Sequence, residues 1–313
     1  RWSMADLTKL LSARVPRYTS YPTALELAPC EDSRAIEGLL SRVGRKAGQL
    51  ALYVHAPFCK SLCYFCACNK VITRDESDKE AFIAALQAEV AQIHRNAGTK
   101  LHLLQVHIGG GSPSYLSPVQ LRAVFRTIAA SFESAGEIER SIELDPHTTT
   151  DEHLALLADE GVHRVSLGSQ DFDPHVQELI NRDQPFEMVQ RVVSGVRQRG
   201  FALNFDLIYG LPGQRQDTFA TTIERVIELA PDRIALYGYA HVEWRNKVQK
   251  VFHRTPRPDE GERLATVGTD DPVVEADALE PAGLVGEARA GRQHHRGTID
   301  ERDRDACRDA GQL

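Results

Sequence analysis

Between residues 51 and 243, short apolar runs alternate with longer stretches of helical periodicity. The runs are Ala51–Val54, Leu103–Ile108, Ser141–Leu144, His163–Leu167, Ala202–Leu207 and Arg233–Tyr237, each bounded by glycine, proline or polar residues. Short apolar runs of this kind predict buried parallel strands. Between them, apolar residues recur at spacings of three and four. The sets are Phe82, Ile83, Leu86, Val90 and Ile93; Leu121, Val124, Phe125, Ile128 and Phe132; Phe186, Val189, Val193 and Val196; and Phe219, Ile223, Val226 and Ile227. Each set forms one face of a helix. Ser117-Pro118 with Gln120 supplies an N-cap, a first-turn proline and a capping-box partner. Gly200 and Pro231 mark helix ends.

Six β–α units in series predict an α/β fold with a parallel sheet: a partial, TIM-like (β/α)6 barrel, short of the eight units that close one. A flat doubly wound sheet is the alternative. Residues 1–48 form an N-terminal strap, with a helical pattern at Leu7–Leu11 and then "PRYTSYPTALE" from Pro16. Residues 49–250 make the barrel. Residues 251–313 are expected to be an aberrant, disordered tail. Phe252 is the last aromatic residue, and from about Thr255 the chain is mostly Ala, Gly, Asp, Glu and Arg. Such a segment has little to bury. The abrupt change predicts an out-of-frame continuation in place of the native C-terminal part.

Bulk properties narrow the partners. The 313 residues are 42% hydrophobic with a net charge of −7, which argues against broad nucleic-acid binding. No run of about 18 apolar residues suggests a membrane span, and Arg1-Trp2-Ser3-Met4 opens no signal peptide. A cytoplasmic location follows as an expectation, and a monomer is the default state. In reducing cytosol, clustered cysteines point to metal ligands or redox groups.

Four of the six cysteines lie within "PFCKSLCYFCACNK", at Cys59, Cys63, Cys66 and Cys68, just after the first predicted strand. Soft thiolates select iron–sulfur clusters, zinc or Cu(I). No second cysteine pair completes a four-ligand zinc site, and three ligands on a cluster would leave one iron open. Zinc and a redox pair remain alternatives. Further signals sit at the ends of later strands. They are Gly109-Gly110-Gly111 with Ser112, where backbone can approach a ligand closely; Glu143 and Asp145; Gln170, Asp171 and Arg182; Asp206, an acid inside an apolar run that needs a partner; and Tyr237, Tyr239 and His241. Taken singly, the glycines fit a plain turn and the carboxylates fit helix caps. Together they mark the rim where active sites form on parallel barrels.

Cys59-x3-Cys63-x2-Cys66 after "LYVHAPF" resembles the signature of the radical S-adenosylmethionine (SAM) enzymes. "CYFCACNK", "PRYTSYPTA", "GGGSPSYL", "SLGSQDFDP", "NRDQPF", "DLIYGLPGQ" and "YGYAHV" resemble, within them, the oxygen-independent coproporphyrinogen III oxidases, from about Pro16 to about Gln249. A related heme-chaperone group shares the three-thiol loop and ranks second, since it usually lacks the fourth cysteine and the strap.

The resemblance implies that Cys59, Cys63 and Cys66 hold a [4Fe–4S] cluster. It implies two SAM molecules, one touched by Tyr53, Gly110, Glu143 and Ala240, the other by Phe65, Gly111, Ser112, Gln170, Arg182 and Asp206. A 5′-deoxyadenosyl radical would take hydrogen from propionate side chains of coproporphyrinogen III in heme biosynthesis, with loss of CO2 and help from an electron donor and an acceptor. Tyr64 and Phe65 would shield the cluster, and Cys68 would not be a ligand. Ser112, His147 and Ser169 depart from the family pattern. The family's C-terminal helical domain has no counterpart after about residue 265.

Overall fold

The computed structural model describes residues 32–45, 49–244 and 246–267. Six strands, β1 (Gln49–Ala56), β2 (His102–Gly110), β3 (Glu133–Leu144), β4 (Arg164–Gln170), β5 (Ala202–Tyr209) and β6 (Arg233–Gly238), form one sheet in the order β1-β2-β3-β4-β5-β6. Every neighbouring pair is parallel. Strands in chain order are the arrangement of a β/α barrel, whereas a doubly wound sheet reverses at a switch point. Among the described residues no ladder joins β6 to β1, so the barrel is partial.

The helices are α1 (Ser33–Arg45), α2 (Glu76–Ala97), α3 (Pro118–Ser131), α4 (Asp151–Asp159), α5 (Pro174–Leu179), α6 (Phe186–Gln198), α7 (Gln216–Glu228) and α8 (Glu260–Val267). Local chemistry sets their ends. Ser117 and Gln120 complete a capping box at α3, and Thr150 and His153 do so at α4. Asp75 caps α2 by accepting from the Ser77 N–H, and Gly98 closes it at φ +67°. Gly200, at φ +73°, follows the end of α6. Glycine takes this left-handed backbone without the Cβ clash other residues meet.

Strand alternation gives the sheet two unlike faces. One face buries Val54, Val106, Ile108, Ile142, Leu144, Val165, Leu167, Leu203, Phe205 and Leu207 against Val90, Leu121, Val124, Ile128, Leu157, Val193, Val196 and Val226 from the helices. The other face is polar. On it, His107 meets Ser141 at 2.8 Å, Arg164 donates to Glu139 at 2.8 and 3.0 Å, and Ser166 and Asn204 donate to Asp206 at 2.7 and 2.9 Å. Tyr53 on β1 and Tyr237 on β6 are half exposed at its two edges.

A second apolar cluster lies over the strand ends. Val176, Ile180, Leu211, Tyr239 and Phe252 form it, with Tyr64 and Phe65 packed alongside. It ties the segment after β1 to those after β4, β5 and β6.

Several expectations change. β3 starts at Glu133, ahead of the apolar run at Ser141, with Gly136 at φ +92° and a register shift against β2. Ile227 of the α7 face is exposed. Part of the region expected as strap is helical: α1 packs on α2. Order also continues past residue 250. Residues Lys247–Arg254 form a 3-10 helix with Phe252 buried, and α8 contacts α7 and β5. Phe252 and the Arg263 stem give this stretch enough to bury. The Leu7–Leu11 pattern, the strap from Pro16 and residues 268–313 lie outside the described residues. Among the described residues no helix is long and apolar enough to cross a membrane.

Candidate functional site

The three thiols converge where β1 ends. Phe58–Cys59 pairs in parallel with Val71–Ile72, so the loop between them is closed at its base. Cys63 is buried, Cys59 and Cys66 are partly buried, and Cys68 is exposed. The loop is held from several sides. The Tyr64 N–H donates to the Ile180 carbonyl at 3.0 Å, Asn181 Nδ2 to the Leu62 carbonyl at 2.7 Å and Lys70 Nζ to the Cys66 carbonyl at 2.9 Å. Asn181 stands at φ +56°, a backbone that asparagine tolerates better than most residues.

Glycine is required beside the thiols. A Cβ on Gly111 would come within 2.8 Å of Cys59 Sγ and 2.6 Å of the Pro57 carbonyl oxygen. The Gly111 N–H donates to the Ala56 carbonyl and the Ser112 N–H to Phe58, lacing the glycine turn to the cysteine loop. A Cβ on Gly109 would strike the Glu143 carboxylate at 2.8 Å. That carboxylate accepts from the Gly110 N–H at 3.0 Å and stands 3.3 Å from His107 Nε2. His107 stacks on Tyr53 with ring centroids 5.7 Å apart, and Tyr53 Oη meets His55 Nδ1 at 3.0 Å.

Arg182 is a buried cation of the site. Its Nη1 donates to Cys63 Sγ at 3.3 Å and lies 3.7 Å from Asp145 Oδ2, and its Nη2 donates to the Gly168 carbonyl at 2.7 Å. Burial alone would raise the Asp145 carboxyl. The Arg182 charge and the bonds from His147 outweigh it and hold the group well below the usual carboxylate range. Burial pushes the Cys59 and Cys63 thiols up, opposed at Cys59 by the Ser112 hydroxyl and at Cys63 by Arg182. Cys66 is pulled down to about 6, first by its hydrogen bond with Cys68, and Cys68 is pushed up by that same bond. Burial also raises Asp206, against the bond from Ser166.

The structure gathers most of the expected residues and separates one. Tyr53, Gly110 and Glu143 share the polar face next to the glycine turn, and Ser112 Oγ lies 3.7 Å from Cys59 Sγ. Gln170 is buried at φ +51°, its side chain crossing Gly168 beside Arg182. Asp206 lies opposite Gly168 in the β4–β5 register. Phe65 sits in the apolar cluster over the rim, and Ala240 follows β6. Asp171 belongs elsewhere. It is fully buried and accepts from Thr222 at 2.7 Å, from the Asp173 N–H at 2.7 Å and from Gln214. That set joins β4 to α7 and the turn after β5.

His55, His107 and Asn181 touch the site and escaped the reading of the sequence. The histidines alternate with Tyr53 and Gly109 at strand spacing, a signal the apolar runs masked. A cavity of about 850 Å³ between α7 and α8, lined by Phe219, Ile223 and Ala265 among others, shares no residue with the thiol site.

The donor set fits an iron–sulfur cluster. Three thiols lie near one another on one loop, Gly111 leaves room beside Cys59, and Arg182 and Ser112 aim hydrogen-bond donors at two of the sulfurs, a contact that tunes such clusters. Buried polar atoms without a partner, Gln170 Oε1 and Arg182 Nε, stand ready for a polar ligand beside it. Among the described residues no three His, Cys, Asp or Glu side chains close around a single ion. A cube-shaped cluster takes each thiolate at a different iron.

Fold and site together define a partial parallel β/α barrel with a cysteine-lined cofactor loop over the carboxyl ends of its strands. The profile of the Radical SAM superfamily matches residues 53–226, and the chain belongs to that superfamily. Membership implies a [4Fe–4S] cluster and SAM. An oxygen-independent coproporphyrinogen III oxidase of Paracoccus denitrificans is 38% identical over 290 residues, covering 92% of this chain and 64% of that protein. One from Helicobacter pylori is 42% identical over 253 residues, 80% of this chain and 55% of that protein. The solved structure of coproporphyrinogen III oxidase from Escherichia coli, titled a Radical SAM enzyme, superposes with a TM-score of 0.76 at 36% identity, covering 85% of this chain and 59% of its own. The chain thus spans less than two thirds of the length of these relatives.

Proposed function

We propose that the protein acts in heme biosynthesis as an oxygen-independent coproporphyrinogen III oxidase, converting two propionates of coproporphyrinogen III to vinyl groups with release of CO2. The observation that carries this reading is the three-thiol loop laced to Gly111 and Ser112 at the strand ends, with Arg182 on Cys63. The names of relatives at 38–42% identity point the same way.

In this reading Cys59, Cys63 and Cys66 would hold the [4Fe–4S] cluster, and the chemistry a bound cluster would supply there is one-electron reduction of SAM. Glu143, already accepting from Gly110, takes a ribose hydroxyl or the ammonium group of the first SAM, beside Tyr53 and Ala240. Arg182 pairs with a carboxylate of a second SAM, and Gln170, Asp206, Ser112, Gly111 and Phe65 line its place. Tyr64 and Phe65, packed on Ile180 and Phe252, exclude water from the thiol side. An external one-electron donor and a final electron acceptor complete the stoichiometry.

The test is anaerobic loading with iron and sulfide, dithionite reduction and incubation with SAM and coproporphyrinogen III. The expected result is a brown protein with a paramagnetic reduced state, 5′-deoxyadenosine formed and coproporphyrinogen consumed. A loaded cluster that makes 5′-deoxyadenosine but leaves coproporphyrinogen untouched refutes the substrate. A protein that takes up no iron refutes the reading.

A further inference from the structure

The carbonyls of Phe65 and Cys66 belong to the two peptide planes that flank the Cys66 Cα. Fixing both planes fixes the Cys66 backbone and the direction of its Cα–Cβ bond, which limits its sulfur to a few staggered positions. Neither carbonyl bonds within a helix or strand. Both are met by side chains from the segment after β6, and the Cys66 carbonyl also accepts from Lys70 Nζ within the loop. Gln249, fully buried, donates through Nε2 to the Phe65 carbonyl at 3.1 Å and to the Ala240 carbonyl at 3.1 Å, and its Oε1 accepts from the Val242 N–H at 2.6 Å. Asn246 Nδ2 donates to the Cys66 carbonyl at 2.8 Å. The same two residues are bonded to each other and to the loop they come from: the Gln249 N–H donates to the Asn246 carbonyl at 3.0 Å and the Asn246 N–H to that of Val242 at 2.8 Å.

We propose that Gln249, assisted by Asn246, is a positioning residue that sets the Cys66 thiolate and couples it to the end of β6. One carboxamide spans the gap between Phe65 and Ala240, residues given above to the two SAM places, so the latch aligns both places with the thiol loop. The proposal rests on the cofactor reading only for that last consequence; the aiming of Cys66 is a property of the apo chain. A glutamine suits the position because it offers two donors and an acceptor without charge. A carboxylate would face two carbonyl oxygens, and leucine would leave both carbonyls and the Val242 N–H unpaired.

The test compares the full chain with Gln249→Leu, Gln249→Glu and the milder Asn246→Ala. Hydrogen exchange on the apo proteins reads the loop directly. Amide exchange in residues 62–70 rises about tenfold or more in each variant, the loss of one hydrogen bond, while β4 and β5 keep their protection. In loaded protein the g-values of the reduced cluster shift, and SAM binds about tenfold more weakly. Loop exchange that stays at the wild-type rate overturns the proposal. So does a rise spread evenly over the sheet, which marks a glutamine that serves only packing. Should Gln249→Leu fail to fold, Asn246→Ala carries the same decision. Failure of the wild type to take up a cluster counts against the proposed function, and apo exchange still decides the latch.

Discussion

The large core lies between the sheet and its helices, and residues such as Val165, Leu203, Phe205, Val193 and Val196 enter it by the period of their own element. The small cluster over the strand ends is assembled differently. Tyr64, Phe65, Val176, Ile180, Leu211, Tyr239 and Phe252 come from five separate segments, and the bonds of Asn181, Asn246 and Gln249 hold those segments to the thiol loop. The first region supplies stability through area and dispersion. The second adds less area and sets geometry, since each of its members fixes where a loop passes. A fold can therefore survive damage to the rim while the site does not.

Replacing Cys63 with Ser tests this division at its extreme. The cluster is expected to be lost, read as iron content and a silent spectrum, while the melting temperature of the apo protein moves little, because Cys63 lies outside the large core. Phe205→Ala is expected to do the reverse. It empties a fully buried site and costs about 3–5 kcal/mol in a denaturant titration, with cluster loading retained in the folded fraction. Equal loss of cluster and fold in both variants would abolish the distinction.

Asp145→Asn removes the buried partner of Arg182 and costs about 3 kcal/mol at pH 7. The Asp145 carboxyl is depressed in the folded state, so its contribution is present above the unfolded value of 3.8 and fades as pH falls. Urea titrations are expected to show the gap between wild type and Asp145→Asn narrowing below about pH 4. A gap constant down to pH 3 would show that charge is not the source. Asp206 has the opposite sign. Its carboxyl is raised, so the folded state binds the extra proton and wild type loses stability as pH climbs from 3.8 through the folded value. Asp206→Asn lacks that loss, so the comparison moves in the variant's favour over that window.

Phe252→Ala is expected to have the smallest effect on the global transition. Its loss falls on the rim, as faster amide exchange in residues 58–68 and 239–254 with the sheet unchanged. A large shift of the main transition would join the small cluster to the main core.

The strands, their order and the thiol loop were legible because their signals are local. A six-fold recurrence of apolar run and helical face needs no distant partner to be read. Nor does the Ser117–Gln120 capping box, which the structure completes. The polar face was hidden by the same runs. Ser166, Asn204 and Asp206 alternate with Val165, Leu203 and Phe205, and the apolar members dominated the reading. Asp206 looked like an isolated acid because its partner Ser166 is 40 residues away. Order beyond residue 250 was missed because composition cannot show that Phe252 packs against Tyr64 and Tyr239.

The amino-acid order by itself determined the parallel β/α architecture, the spacing of Cys59, Cys63 and Cys66, and the glycines that let backbone approach them, because periodicity, turn chemistry and ligand spacing act over a few residues. Tertiary structure alone decided that Arg182 bonds Cys63, that Asp171 serves the scaffold, and that a glutamine 183 residues beyond Cys66 holds the peptide beside that cysteine. A buried carbonyl accepts whichever donor the fold brings within about 3.2 Å, and no pattern along the chain names that donor in advance.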